Sequence, residues 1–290
     1  MGILSDIFGY VLNWLYMAVN ENYGVAIILF SIILRIALLP ITYKQQIAMK
    51  KNAKIQEEMK KIQIKYKNNP ELLNKETMEL YKREKMSPFS GCLSSIIQIL
   101  LILSVFWLVS QPLTYMKKID DIKIDDKPII EYYKEQIKEE NGTISNYAEI
   151  EVIQKKAAID DRLHINMEFL GLDLSKVPNQ NIKDIKVYII PALYIVSSLI
   201  SIKLTTKMQE KEQDKKEQDK EKKQDEIDQA EAVQQMSKTM MYFMPLLTVW
   251  IAFIAPLGLA LYWFVSNALM IVERILLKKI INSKEEKENA

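Results

Sequence analysis

The stretch GVAIILFSIILRIALLPITY, residues 24–43, contains one charged side chain in twenty, Arg35. At 1.5 Å per residue, roughly 20 helical residues cross a ~30 Å hydrocarbon core, so this run predicts a transmembrane helix. Four more apolar runs follow at residues 89–111, 187–204, 240–254 and 257–277. The last two are joined by the charge-free turn Ala255-Pro256-Leu257-Gly258. Mean hydropathy over the chain is −0.05, a value typical of soluble proteins. That average hides the segregation of apolar runs from stretches crowded with Lys, Glu and Asp. The expected fold is an all-α membrane protein with five spans.

The segments between the spans have their own patterns. Residues 1–23 are expected to form a helix lying in the membrane interface on the outer face, because residues 3–19 are mostly apolar with a narrow polar stripe at Ser5, Gly9 and Asn13, spaced by four. The first Lys or Arg is Arg35, so the basic leader of a signal peptide is missing. Residues 44–88 read as a helical hairpin: Ile47, Ile55, Met59, Ile62 and Tyr66 form one apolar stripe. Asn69-Pro70 stops the first arm and starts the second, with Asn69 the N-cap and Pro70 the first helical residue. Residues 112–186 form a long hydrophilic segment with helical patterns near 129–140 and 146–163. Residues 205–239 form a charged arm, and residues 278–290 a charged tail. Lys and Arg number twelve in 44–88, eight in 206–239 and five from Glu273 onward, against none before the first span or in the 255–258 turn. By the positive-inside rule the N-terminus lies outside, and the hairpin, arm and C-terminus lie in the cytoplasm.

Arg35 lies about 16 Å into its span, too deep for easy snorkelling, at a cost of about 2.5–3.5 kcal/mol on insertion scales. The five spans contain no Asp or Glu except Glu273, near the inner end of the last. The sequence therefore predicts a wet cavity lined by neutral polar groups. The candidates are Ser31, one turn before Arg35, with Gln98, Ser197, Ser198, Ser201, Ser266 and Asn267. Membrane serines more commonly bond their own backbone, and Gln98 and Asn267 have an equal claim as interhelical glue. A single cysteine, Cys92, and a single histidine, His164, exclude a disulfide framework and a His/Cys metal site. A net charge of +2 gives no field for DNA, and the spans hold no nucleophile–base pair, so neither an enzyme nor a cofactor is expected.

Four stretches in order, SIILRIALLPIT (31–42), MSPFSGCLSSIIQI (86–99), NMEFLGLDLSKVP (166–178) and MMYFMPLLTVWIAFIAPLGLALYWFVSN (240–267), resemble the YidC/Oxa-type membrane protein insertases in their five-span bacterial form. The resemblance implies a multi-pass protein of the bacterial inner membrane with a hydrophilic groove around Arg35, open to cytoplasm and lipid and closed to the outside. A substrate's hydrophilic segment would enter the groove while its apolar span slides past Ser31 and Trp263 into the bilayer, without nucleotide hydrolysis. Gln98, Ser201 and Asn267 complete the expected groove. Ser201 falls where many relatives have glutamine. Nascent membrane proteins, the ribosome, the Sec translocon and lipid are the implied partners. The alternative from another class is a transporter or channel subunit that binds an anionic solute at Arg35. The spans show no inverted repeat or matched pair of broken helices that would favour it.

Overall fold

The computed structural model describes residues 2–67, 69–84, 90–217 and 247–288. The described chain is mostly helical. Nine helices are α1 (Gly2–Ala18), α2 (Tyr23–Lys65), α3 (Pro70–Arg83), α4 (Ser90–Ser110), α5 (Ile129–Asn141), α6 (Ala148–Lys156), α7 (Ile189–Glu217), α8 (247–254) and α9 (Leu257–Glu288). Three helical stretches are long and apolar enough to cross a membrane: Tyr23–Ala48, Ile185–Leu204 and Leu257–Lys284. A shorter apolar helix covers Ile99–Ser110. Of the fourth expected span, residues 240–246 lie outside the described residues, as do 218–239 of the charged arm. Two small antiparallel hairpins, absent from an all-α reading, pair β1 (Lys123–Ile124) with β2 (Lys127–Pro128) and β3 (Glu168–Phe169) with β4 (Leu172–Asp173).

The chain divides into two compact units. The first comprises Met1–Ala37, Gln98–Ser197 and Thr248–Leu269, and holds a continuous apolar core that includes Leu12, Tyr23, Ile27, Leu108, Met116 and Leu163. The second comprises Leu38–Ile97, Ser198–Leu247 and Met270–Ala290. Here Asn69 caps α3 as its sequence predicts, its side chain accepting from the Leu72 N–H at 3.2 Å. Ile55 on α2 and Leu80 on α3 are buried, and an Arg83–Glu58 ion pair ties the two arms of the hairpin. At the other end of this unit, Thr42 hydrogen-bonds Glu273, and Lys284 donates to the Tyr43 hydroxyl at 3.3 Å. Glu273, the acidic residue that the sequence places at the inner end of the last span, is thus paired.

In the first unit, segment 166–176 organises the helix ends. The leading N–H groups of a helix have no partner within it and must find acceptors elsewhere. The Tyr23 N–H at the start of α2 donates to the Asn166 carbonyl at 3.1 Å, and the Asn22 side chain donates to the Glu168 carbonyl at 3.3 Å while accepting from the Val25 N–H at 3.0 Å. At the start of α9, the Leu257 and Gly258 N–H groups donate to the Lys176 and Leu174 carbonyls, both at 2.9 Å. The Phe169 side chain abuts the α2 backbone, where a Cβ at position 24 would meet its ring at 2.4 Å, so Gly24 is required there.

α1 packs against the one-turn π-helix Leu113–Lys117. Its stripe of small residues is the packed face: Ser5 donates to the Ser104 carbonyl at 3.1 Å, and a Cβ at Gly9 would lie 1.9 Å from the Tyr115 carbonyl oxygen. Ile3, Ile7, Tyr10, Trp14 and Met17 point outward. The sequence stripe thus marks close backbone approach beside buried Phe8, Leu12, Leu15 and Tyr16, and the five outward residues form the free surface. In the hydrophilic segment, α5 occupies the expected 129–140 window, whereas α6 ends at Lys156, short of the expected 163. Buried Glu149 on α6 accepts from the Leu113 and Thr114 N–H groups at 2.9 and 3.1 Å and from the Thr114 hydroxyl at 2.6 Å, capping the π-helix. Burial raises its pKa above the usual carboxylate range despite those donors.

Two outcomes follow for stability. Gly9→Ala should destabilise the detergent-solubilised protein by about 1–3 kcal/mol, read as a lowered thermal midpoint, because its methyl group has no room beside Tyr115. Glu149 holds its proton more tightly folded than unfolded. Its contribution is therefore complete below the ordinary glutamate value of about 4.3 and is lost as pH rises through the raised folded value. A pH series of melting curves should show wild type losing stability over that window relative to Glu149→Gln, which cannot ionise; a flat difference would contradict the assignment.

Candidate functional site

Ser31 and Arg35 lie one turn apart on α2, in the first unit. Ser31 is fully buried, and its hydroxyl donates to the Ile27 carbonyl one turn back at 2.7 Å. Arg35 is half-buried. The buried Tyr262 of α9 lies within electrostatic reach of Arg35, and Ser266 follows it one turn on, on the same helix face. The sequence reading named Ser266 but passed over Tyr262. The available signal was the i,i+4 spacing of Tyr262 and Ser266, which puts both on one helix face, together with the need of a buried phenol for a partner.

A second polar chain links α7, α8 and α9 within the same unit. The Asn267 side-chain amide donates to the Ser197 hydroxyl at 3.1 Å, and Ser197 donates to the Tyr194 carbonyl at 2.8 Å. The Tyr194 hydroxyl donates to the Thr248 hydroxyl at 2.7 Å. The Trp263 ring stands 6.1 Å from that of Tyr194, tilted by 40°. Tyr194, Ser197, Trp263 and Asn267 are all buried. In apolar surroundings such hydrogen bonds fix the register of neighbouring helices, since each group would otherwise be left unpaired.

The structure therefore brings Ser31, Arg35, Trp263 and Asn267 into one compact unit, together with Tyr262, Ser266 and Ser197. Ser201 belongs to the second unit, where it is buried and engaged by a polar partner. The Gln98 side chain lies outside the described residues. Among the described residues, no group of three His, Cys, Asp or Glu side chains is placed to hold a metal ion.

Comparison with known proteins agrees with this picture of an apolar helical chain. Residues 14–285 match the family model described as 60Kd inner membrane protein. A protein of Treponema denticola named "Membrane protein insertase YidC" is 26% identical over 276 residues, covering 95% of this chain and 37% of the relative. Proteins with the same name from Fusobacterium nucleatum and Syntrophobacter fumaroxidans are 38% identical over 104 residues and 37% identical over 123 residues. These matches cover 36% and 41% of this chain, and 50% and 22% of the relatives. The chain thus spans half or less of the length of each of these relatives.

The geometry separates structural polar groups from the remaining candidates. Asn267→Ala should destabilise the protein by about 0.6 kcal/mol, and by no more than about 1.7, the range typical of single interhelical hydrogen bonds. Ser197→Ala should add little on top of it in a double-mutant cycle measured by denaturation in detergent. Full additivity would mean that the two side chains do not act as a pair.

Proposed function

Since this chain belongs to the 60Kd inner membrane protein family, we propose that it inserts other membrane proteins into the bilayer. The observation that carries this reading is Arg35, half-buried in a helix apolar enough to span the membrane and one turn from the fully buried Ser31. A cation at that depth shortens the low-dielectric path for a hydrophilic segment and attracts acidic ones. The groove around it opens to the cytoplasm and to lipid. A nascent protein's polar segment enters there while its apolar span passes along the outside and leaves laterally.

The driving force is the substrate's own transfer out of water, at about 25 cal/mol per Å² of apolar surface, so no nucleotide is needed. The N-terminus lies outside, and the charged hairpin, arm and C-terminus lie in the cytoplasm, where the lysines of the hairpin meet the ribosome or anionic lipid. The Sec translocon is a further partner. Arg35 with Ser31, Gln98, Ser201, Trp263 and Asn267 makes up the substrate path. Ser31 is buried in the described conformation, so a substrate reaches it only when neighbouring side chains move. The rival reading, an anion transporter, gains no support from the relatives, all of which are named as insertases.

Arg35→Ala, reconstituted in liposomes, should insert substrates with acidic outer segments several-fold less well, with a smaller effect on neutral ones, and Arg35→Lys should recover most of the loss. Equal insertion of every substrate by all three proteins would remove the electrostatic groove. Photocrosslinkers placed at Trp263 and Ser201 should capture stalled nascent chains, and capture of lipid alone would sink the sliding path.

A further inference from the structure

Leu170 goes against two preferences at once. It sits at the tip of the β3–β4 hairpin with φ of 51°, the left-handed region that suits glycine or asparagine, and it is followed by Gly171 at φ 74°. A two-residue turn of this kind favours Asn-Gly or Asp-Gly. Leucine gains nothing there from folding, for its side chain is 86% exposed. A strained, exposed apolar residue points to a contact outside the folded chain.

The neighbouring element repeats the pattern. β4 packs against the 3-10 turn Ile185–Tyr188 that leads into α7, and the Lys176–Asp184 ion pair at 2.8 Å fastens the two together. In the sequence Ile182-Lys183-Asp184-Ile185-Lys186, the two isoleucines are 70% and 82% exposed, and both lysines are exposed. Ile185 is the first residue of a candidate span, and the exposed apolar row continues from it through Ile189, Leu193 and Val196. An exposed apolar row thus runs along the helix onto the patch. Its depth is set independently, because the same hairpin region hydrogen-bonds the first residues of α2 and α9 and adjoins the entry to α7. The starts of α2, α7 and α9 therefore meet at this region.

We propose that the β3–β4 tip and residues 182–186 form a lipid-binding foot. Leu170, Ile182 and Ile185 enter the acyl boundary of the leaflet where α2 begins, and Lys183 and Lys186 extend to the lipid phosphates, as amphipathic side chains do at membrane surfaces. The foot is bonded to the Tyr23 end of α2, so it sets the depth of Arg35 at about 18 Å from that boundary. This inference rests on the membrane-spanning reading and is independent of insertase activity.

Single-cysteine variants L170C, I185C and, as an exposed control in the hydrophilic segment, T143C, each on a C92S background, test it. Each is labelled with an environment-sensitive fluorophore and reconstituted in phosphatidylcholine–phosphatidylglycerol vesicles with iodide on both sides. Labels at 170 and 185 should lose most of the iodide quenching seen at 143. They should be quenched more by lipids spin-labelled near the headgroup than by lipids labelled deep in the chain. Iodide quenching equal to that at 143 would overturn the proposal in favour of a water-facing tip. Shielding from both iodide and spin-labelled lipid would overturn it in favour of a protein partner. Two labelled positions on separate elements guard against local disturbance at either one.

Discussion

Two apolar helices begin where water is scarce, and their leading N–H groups have to find carbonyls; segment 166–176 supplies them. That constraint organises the first unit. The Asn166 carbonyl takes the Tyr23 N–H, and the Leu174 and Lys176 carbonyls take those of Gly258 and Leu257. The segment can do this because it is a hairpin: β3 and β4 pair with each other, and the residues that flank them, Asn166, Leu174 and Lys176, present their carbonyls to two helices at once. Tyr16 on α1 joins the same site by accepting the Asn166 N–H at 2.9 Å. One short stretch of chain thereby relates α1, α2 and α9 and leaves few buried backbone groups to pay for.

Within the apolar helices the same rule applies to side chains. Ser31 returns its hydrogen bond to its own backbone, and Ser197 and Asn267 pair across helices. In hydrocarbon each of these groups would be costly alone, and paired they become adhesives that require no water. Glu149 shows the same economy outside the spans, where a buried carboxylate is tolerable because three donors converge on it.

Three of the five expected spans are borne out as helices long and apolar enough to cross a membrane; they were legible because nearly charge-free runs of that length have few other uses, and Asn69-Pro70 was legible because a cap and its helix are adjacent in sequence. The role of 166–176 was not. Two-residue strands are too short to show a period-2 pattern, and their partners lie about 80 to 150 residues away. Ser5 and Gly9 illustrate a different obstacle: a stripe of small residues looks polar in a hydropathy profile, yet its value lies in letting two backbones approach. Asn267 and Ser197 are 70 residues apart, so their sequence spacing carried no sign that they bond each other.

The difference between directional hydrogen bonds and charge has a consequence for selectivity. A fixed hydrogen-bond donor rewards a partner only at one distance and angle, and rejects substrates that cannot meet it. Coulombic attraction is far less directional and in a low-dielectric setting reaches further. The neutral polar side chains described for the first unit are largely committed to its own helices, which leaves charge as the feature a passing segment would sense at Arg35. On the proposed insertase reading, which requires that many unrelated chains be accepted, this is a suitable economy. Geometry is spent on holding the helices in register, and on that reading recognition is left to the sign of a charge.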